Sequence, residues 1–345
     1  MLQAIAISLV TTLLSFDQRN KALGTVIMFA GAGPVFGPAV GGLLMSTFGW
    51  QAIFLINIPI CLIGIYLCRR LQDKPNEHHS EIHGGSLALI ILFVTSLILT
   101  ATALSDNTIS HIAYQVGFIL VILSAIALLV HEQKSKKSIL PLSILLNLNV
   151  VSAMMGLFAM GFSTIIIFML PPLYLMQMLH FEPYQVGFVS LLAPFSMMLL
   201  SKNTHRLIQR FGVTMSMRIG LVLMIIALGS LSAMSMAKSL IYLYLMLVLF
   251  GMGCGILQPS ATVLLMSQID KSRHSIFSAL SRMQVNTAIA IGAAIIAMTL
   301  SGKTLGLISE MHYVWLTALS LTIVVLVVPI LGRQIRRMRQ PRSIV

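Results

Sequence analysis

A small set of polar side chains interrupts the long apolar runs of this sequence and could hydrogen-bond a solute inside a membrane. An intramembrane polar residue is a candidate contact for a solute or ion, although such amides more often hydrogen-bond a neighbouring helix. Arg282 lies about two turns into an apolar segment, so its guanidinium could also snorkel to the interface. The substrate-path candidates are Asn57, Tyr174, Gln177, Gln258, Arg282, Gln284 and Asn286.

The acidic residues are placed differently, because all nine are predicted to lie in loops or at helix ends. A proton-coupled carrier normally needs a titratable group inside the membrane. Proton coupling by this chain therefore requires a further group. The nine acids are Asp17, Asp73, Glu77, Glu81, Asp106, Glu132, Glu182, Asp270 and Glu310.

No constellation of residues in the sequence indicates an enzyme. The sequence contains no nucleophile–base arrangement, phosphate-binding loop or nucleotide motif, so we predict neither an enzyme nor an ATP-driven pump. The three cysteines lie in apolar runs without the spacing of metal ligands and are predicted to be packing thiols. We predict no cofactor and no metal site.

The stretch GAGPVFGPAVGG predicts an unusual helix. Gly33, Gly37 and Gly41 are spaced i, i+4 and i+8, which makes a stripe without side chains along one helix face. Such a stripe lets a second helix backbone approach closely. Pro34 and Pro38 each remove a backbone donor and are predicted to bend the helix.

The elements that must position these residues are membrane helices. The 345-residue chain is 57% hydrophobic and 9% charged, with a mean hydropathy of +0.96. This composition predicts an all-α polytopic membrane protein. The basic residues behind the net charge of +13 lie between apolar runs rather than in one patch, so we predict no nucleic-acid partner. We predict about eleven spans, at residues 1–16, 22–47, 50–68, 84–104, 111–130, 148–174, 184–201, 213–236, 239–267, 275–300 and 312–332.

The loops between these segments differ strongly in charge. Eighteen of the 22 Lys and Arg residues fall in one set of alternate loops, and only Lys238 and Lys303 fall in the other. The positive-inside rule therefore predicts a cytoplasmic C-terminus. With eleven spans, Met1 would lie on the external side of the membrane and within a short first helix. This arrangement predicts that three helices are missing before it.

A weak internal repeat leads to the same expectation. In residues 13–42 and again in 264–294, a helix ends, a short loop with Asp and basic residues follows, and a helix rich in small residues begins. Internal repeats of this kind are typical of transporters. The stretch LFGMGCGILQPSA precedes the second copy and has no counterpart before the first.

The complete glycine-rich string resembles motif C, GxxxGPxxGG, of antiporters in the major facilitator superfamily. The following WQAIFLINIPI resembles the W-x-x-I-F-x-I-N-x-P of the 14-helix drug:proton antiporters of the EmrB/QacA type. The residues assigned to motif C are Gly33, Pro34, Gly37, Pro38, Gly41 and Gly42.

Two later segments extend this resemblance. The segment LPPLYLMQMLHFEPYQVGFVSLLAP is similar to the family's P-x-Y-x-x-Q…P-x-x-x-G…P pattern, and its matching residues are Pro172, Tyr174, Gln177, Pro183, Gly187 and Pro194. The segment HRLIQRFG resembles a degenerate second copy of the cytoplasmic motif A. Leu207, Arg210 and Gly212 match that motif, whereas His205 and Gln209 replace its glycine and its acid.

The resemblance implies a major facilitator fold made of helices 4–14 of a 14-helix architecture. Residues 1–70 would form the remainder of an N-terminal helix bundle, and 71–137 would form two central linking helices. Residues 138–345 would then form a six-helix C-terminal bundle. The implied location is the inner membrane, crossed many times.

The implied function is export of amphipathic, often cationic, small molecules in exchange for protons by alternating access. Motif C would pack the second segment against the opposite half of the protein and limit leakage. The implied partners are the small-molecule substrate, protons and the lipid bilayer. An accessory periplasmic or outer-membrane component stays an open alternative.

Two other functions remain open at the level of sequence. The chain could be a truncated, non-functional product or an accessory fragment without the proton-coupling helices. A passive channel or scaffold is the other alternative, although the sequence contains no ring of charges or filter motif.

Overall fold

The computed structural model describes residue 33 and residues 36–69, 84–105, 111–134, 147–233, 239–269, 274–301 and 307–339. Within these ranges the regular structure is helical. The helices are α1 (Phe36–Phe48), α2 (Gln51–Leu55), α3 (Asn57–Cys68), α4 (Gly84–Ser105), α5 (His111–Lys134), α6 (Leu148–Met178), α7 (Pro183–Ser190), α8 (Leu192–Phe211), α9 (Val213–Ser232), α10 (Leu240–Met266), α11 (His274–Ser301) and α12 (Leu307–Arg339).

Six helical stretches in the described ranges are long and apolar enough to cross a membrane. They are Leu148–Met178, Pro183–Phe211, Val213–Ser232, Leu240–Met266, Phe277–Leu300 and Ser309–Val328. They correspond in order to the last six predicted segments, and the second to fifth segments contain shorter apolar helices. The first segment lies outside the described residues. The predicted all-α polytopic membrane architecture is confirmed.

Two of the predicted spans, 50–68 and 184–201, each contain a one-residue interruption of the helix. Ile56 separates α2 from α3, and Leu191 separates α7 from α8. A proline follows each break by three residues: Pro59 follows the first and Pro194 the second. The carbonyl group just before the break is therefore the one that an N–H at the proline's position would bind in a regular helix. Proline has no N–H for that carbonyl and its ring clashes with it, so the helical ladder loosens at this point.

The chain divides into two compact units. Unit 1 contains Met1–Glu81 and Pro171–Met198, so its described helices are α1, α2, α3 and α7 with the adjoining parts of α6 and α8. Unit 2 contains Ile82–Leu170 and Leu199–Val345, with α4, α5, the remainder of α6 and α8, and α9–α12. The predicted division at residues 1–70, 71–137 and 138–345 stays a prediction.

Small residues bring the helices of unit 2 together. A Cβ atom built on Gly220 of α9 would lie 2.8 Å from the carbonyl oxygen of Gly253 on α10. A Cβ atom on Gly161 of α6 would lie 2.7 Å from the carbonyl oxygen of Val285 on α11. Lipid provides little hydrophobic drive between helices, so such backbone contacts supply much of the packing energy.

The helices α4 and α5 form a hairpin within unit 2, and polar side chains lie between them. The Oγ atoms of Ser96 on α4 and Ser124 on α5 lie 3.4 Å apart. Gly117 of α5 faces the side chain of Thr100, whose Oγ1 would lie 2.5 Å from an added Cβ atom. α4 also packs against α11, so this hairpin contacts the rest of unit 2.

Candidate transport site and glycine crossing

Unit 1 contains a direct backbone contact between α1 and α7. A Cβ atom built on Gly42 would lie 2.6 Å from the carbonyl oxygen of Pro183 and 3.3 Å from the Cα atom of Gly187. A Cβ atom built on Gly187 would lie 2.6 Å from the carbonyl oxygen of Pro38 and 3.3 Å from the Cα atom of Ala39. We call this contact, formed by these five residues, the glycine crossing.

The local structure before α7 fixes the position of its glycine. His180 has a φ of 54°, a left-handed conformation uncommon for a non-glycine residue, and it reverses the chain after α6. The backbone N–H of Glu182 then donates to Oε1 of Gln185 at 3.0 Å. Pro183 occupies the first turn, where its missing N–H costs nothing. Gly187 follows one turn later on the face towards α1.

The regular glycine stripe of motif C does not form this contact. No described atom lies within 4 Å of a Cβ atom built on Gly33, Gly37 or Gly41. Pro34 lies outside the described residues. The packing role of the stripe stays a prediction, and the crossing uses the adjacent face. The sequence signal for that face was the i, i+4 pair of Pro38 and Gly42.

The substrate-path candidates in unit 1 lie on two helices. Asn57 begins α3, is exposed, and its Nδ2 donates to the carbonyl oxygen of Ile53 at 3.3 Å. Tyr174 is half-buried and Gln177 is exposed near the end of α6. The side-chain oxygen of Asn57 and the amide of Gln177 are therefore accessible to a polar solute.

The candidates in unit 2 lie on α10 and α11. Gln258 is half-buried on α10, whereas Arg282 and Asn286 are exposed on one face of α11 at i, i+4 spacing. Gln284 lies on the opposite face of α11, and its Nε2 donates to the carbonyl oxygen of Met154 on α6 at 3.0 Å. Among the residues that the structure describes, its buried Oε1 has no hydrogen-bond partner. Gln284 thus joins two helices and retains an unused acceptor.

The degenerate motif A copy forms the connection between α8 and α9. Gly212 has a φ of 80°, a conformation that glycine adopts without strain, and its carbonyl oxygen accepts from Oγ of Ser216 at 2.9 Å. Arg210 is exposed and its guanidinium lies 5.4 Å from the centre of the Phe211 ring. Leu207 is half-buried. In the described ranges no carboxylate pairs with Arg210, consistent with Gln209 in place of the motif's acid.

One acidic residue lies at a helix end, as predicted, and is buried there. α12 begins at Leu307, so Glu310 lies in its first turn and inside the candidate span Ser309–Val328. The predicted span at 312–332 corresponds to Ser309–Val328, and the helix begins slightly earlier, in the more polar sequence ahead of the apolar run. Only 8% of the surface of Glu310 is exposed.

Comparison with known proteins identifies the family. The sequence profile described as Major Facilitator Superfamily matches residues 1–293. The riboflavin transporter RibZ of Clostridioides difficile is 25% identical over 85% of this chain and 63% of its own length. The multidrug transporter protein MdtP of Bacillus subtilis is 20% identical over 89% of this chain and 57% of its own. The putative multidrug resistance protein MdtD of Escherichia coli K12 is 25% identical over 86% and 62%. The chain thus spans 57–63% of the length of these relatives.

Solved structures support the same fold. The POT family transporter PepTSo aligns with a TM-score of 0.59 and 14% identity, over 94% of this chain and 73% of its own. A bacterial homologue of the iron transporter ferroportin, in an inward-facing state, aligns with a TM-score of 0.53 and 15% identity, over 94% and 65%. Because the profile covers most of the sequence, the chain belongs to the Major Facilitator Superfamily.

Proposed function

We propose that this transporter exports amphipathic, often cationic, small molecules across the inner membrane in exchange for protons. The C-terminus would face the cytoplasm, as the charge asymmetry of the loops predicts. Two of the relatives carry multidrug names and one is named for riboflavin. Their shared feature is a small organic substrate, which agrees with the broad class proposed here.

The observation that carries the proposal is the glycine crossing. Gly42 belongs to motif C, the segment that resembles antiporters, and Gly187 belongs to the second segment of the same resemblance. Each glycine is close enough to the facing backbone that a methyl group would not fit without movement. A contact of this closeness leaves no space for water or solute between the two helices. It therefore supports a role for motif C in limiting leakage.

The polar residues suggest how a substrate could be held. The Oε1 atom of Gln284 is an acceptor without a donor in the described part of the chain, and buried acceptors of this kind are costly unless a partner is present. An ammonium or amide N–H of a substrate would supply that donor when it reaches α11. In unit 1, considered by itself, Tyr174 carries a half-buried aromatic ring, a group that suits a cation or a planar apolar group.

The proposal is tested in liposomes that contain the purified chain. A pH gradient is imposed, movement of a cationic amphipathic dye is followed by fluorescence, and a protonophore collapses the gradient as the control. We expect gradient-dependent dye accumulation, together with proton movement on adding dye to vesicles without a gradient. Gly42→Ala is expected to speed decay of the gradient, whereas Gly37→Ala is not, because only the first variant opens the glycine crossing.

Two results would contradict the proposal. Dye flux that persists unchanged after the gradient is collapsed would indicate a passive channel. A complete lack of flux in correctly inserted protein would favour an accessory fragment that requires a partner.

A further inference from the structure

We propose that Thr204 of α8 is a positioning residue in substrate binding, which gives α10 the hydrogen bond that Pro259 cannot make and thereby fixes Gln258. Gln258 directly precedes Pro259, is half-buried, and is one of the predicted substrate-path residues. The inference rests on the proposed transport of small organic molecules. It deepens that proposal by naming the contact that holds one residue of the path in place.

The helix α10 is continuous although a proline lies inside it. It runs from Leu240 to Met266 and contains Pro259. In a regular helix each N–H donates to the carbonyl oxygen four residues earlier. Pro259 has no N–H, so the carbonyl oxygen of Gly255 receives no hydrogen bond from that position of its own helix. Gly255 is buried, and a buried carbonyl group without a donor would destabilise the fold.

The hydroxyl group of Thr204 supplies the donor. Its Oγ1 atom lies 2.9 Å from the carbonyl oxygen of Gly255, and only 1% of the surface of Thr204 is exposed. A carbonyl oxygen can only accept, so the hydroxyl group donates. Both residues belong to unit 2. The bond therefore joins α8 to α10 at the carbonyl group that the proline leaves without its helical partner.

The same hydroxyl group has a second acceptor within α8. Oγ1 of Thr204 also lies 2.9 Å from the carbonyl oxygen of Leu200, so its one hydrogen has two acceptors. The backbone N–H of Thr204 also serves the carbonyl oxygen of Leu200, because α8 is helical from Leu192 to Phe211. Gly255 lacks that backbone donor. Loss of the hydroxyl group should therefore affect α10 more than α8.

The position of Gln258 depends on this bond because of where the gap in α10 lies. Before the gap, α10 is held against α9, where a Cβ atom added to Gly253 would lie 2.9 Å from the carbonyl oxygen of Gly220. A helix bends most easily where a proline interrupts its hydrogen bonds. Gln258 lies within the turn that ends at Pro259, so the bend at this turn sets the direction of its side chain. Thr204 fixes the bend from outside the helix.

A double-mutant cycle tests the contact without any substrate. The whole chain is unfolded reversibly in mixed micelles with increasing dodecyl sulfate. Thr204→Val keeps the branched shape but removes the hydroxyl group. We expect it to raise the unfolding equilibrium constant about 5- to 150-fold, the range for a buried polar group left unpaired. In a Pro259→Ala background the alanine N–H serves Gly255, so the same change should cost less than about twofold. In a Pro172→Ala background, which alters α6 instead, the full cost should return.

Two variants control for the substitution itself. Thr204→Ser keeps the hydroxyl group and should restore the stability that Thr204→Val loses. Thr322 of α12 is equally buried, and its Oγ1 donates at 2.7 Å to the carbonyl oxygen of Ala318 in its own helix. That carbonyl group keeps its backbone donor, so Thr322→Val should stay close to the unmodified chain.

Dye binding separates positioning from stability. The affinity of a cationic amphipathic dye is measured by fluorescence anisotropy on the whole chain in lipid nanodiscs, at a temperature where every variant is folded. Thr204→Val should weaken binding about 2- to 10-fold, the size of one neutral hydrogen bond, whereas Thr204→Ser and Thr322→Val should not. In a Gln258→Met background Thr204→Val should cause no further loss, because Thr204 acts through Gln258.

The outcomes distinguish this inference from the proposed function. Strict additivity of Thr204→Val and Pro259→Ala in unfolding, or full dye affinity in Thr204→Val, would overturn the inference even where the unmodified chain exports dye. Weaker binding in Thr204→Val that depends on Gln258, in a chain without gradient-driven export, would support the inference and contradict the proposed function. An unmodified chain that binds no dye would overturn both.

Discussion

Replacing Gly42 with alanine tests the glycine crossing directly. The added Cβ atom would begin 2.6 Å from the carbonyl oxygen of Pro183, and contacts of a Cβ atom below 3.0 Å are essentially never observed. α1 and α7 would therefore have to separate by about 0.4 Å. Overpacking of this kind typically costs about 1–3 kcal/mol. Alanine also favours the helix over glycine by about 0.5–1 kcal/mol, which offsets part of that cost.

The matched control is Gly37→Ala, on the same helix and in the same motif. No described atom lies within 4 Å of its added Cβ atom, so only the gain in helix propensity remains. We expect the free energies of unfolding of the two variants to differ by about 1–3 kcal/mol, with Gly42→Ala the less stable. Reversible unfolding in mixed micelles with increasing dodecyl sulfate measures that difference.

A double-mutant cycle adds a sharper criterion. Gly187→Ala meets the carbonyl oxygen of Pro38 at 2.6 Å and should cost as much as Gly42→Ala. Once one methyl group has separated the helices, the second meets less resistance. The double variant should therefore be more stable than the sum of the single effects predicts, by about 0.5–3 kcal/mol. Equal stability of Gly42→Ala and Gly37→Ala, or strict additivity in the cycle, would refute the reasoning.

Five further variants at four positions test the remaining contacts. Gln284→Met keeps the volume but removes both the unused acceptor and the Nε2 hydrogen bond to Met154, so the KM for substrates with N–H donors should rise about tenfold in vesicle transport. Gly253→Ala would place a methyl group 2.9 Å from a backbone oxygen of α9, whereas Gly229→Ala meets only side-chain atoms at 3.7 Å. Only the first should lower stability, by about 1–3 kcal/mol in the same micelle titration. Gly212→Val should cost more than Gly212→Asn, because φ is 80° there and asparagine tolerates positive φ better, and equal losses would contradict that view.

The long helices of unit 2 could be predicted from the sequence because the bilayer dictates their length. An apolar run of about 20 residues has to be helical to satisfy its backbone in lipid. The predicted segments 213–236 and 239–267 therefore agree closely with Val213–Ser232 and Leu240–Met266. α12 begins slightly before the predicted span because its first turn is more polar, and hydropathy marks where a run becomes apolar rather than where a helix begins.

The helix breaks were harder to predict, although their cause is visible in the sequence. Pro59 and Pro194 each follow a break by three residues, yet α6 and α10 contain Pro171, Pro172 and Pro259 without interruption. Neighbouring helices can restore the backbone contacts that proline removes, so the outcome depends on packing rather than on the proline alone. Sequence therefore identifies where a helix can break but not whether it does.

The candidate site illustrates the same limit for glycine. Spacing singled out Gly33, Gly37 and Gly41, which meet no described atom, whereas Gly42 meets the backbone of α7. Periodicity defines which residues share a face, but it does not say which face has a partner. The partner became recognisable only through Gly187, which lies at i, i+4 spacing from Pro183 in a segment more than a hundred residues away.

Both units use glycine for the same physical reason, and two of their close contacts have a glycine on each side. Gly42 with Gly187, and Gly220 with Gly253, each place a glycine on both sides of one approach. A single glycine can also allow a close approach, as Gly161 does against the carbonyl oxygen of Val285, where an added Cβ atom would lie 2.7 Å away. Two facing glycines bring the backbones into contact, which compensates for the weak hydrophobic drive within lipid. The functional weight of a glycine in this protein therefore depends on the residue it faces, and the variants Gly42→Ala and Gly37→Ala differ for that reason alone.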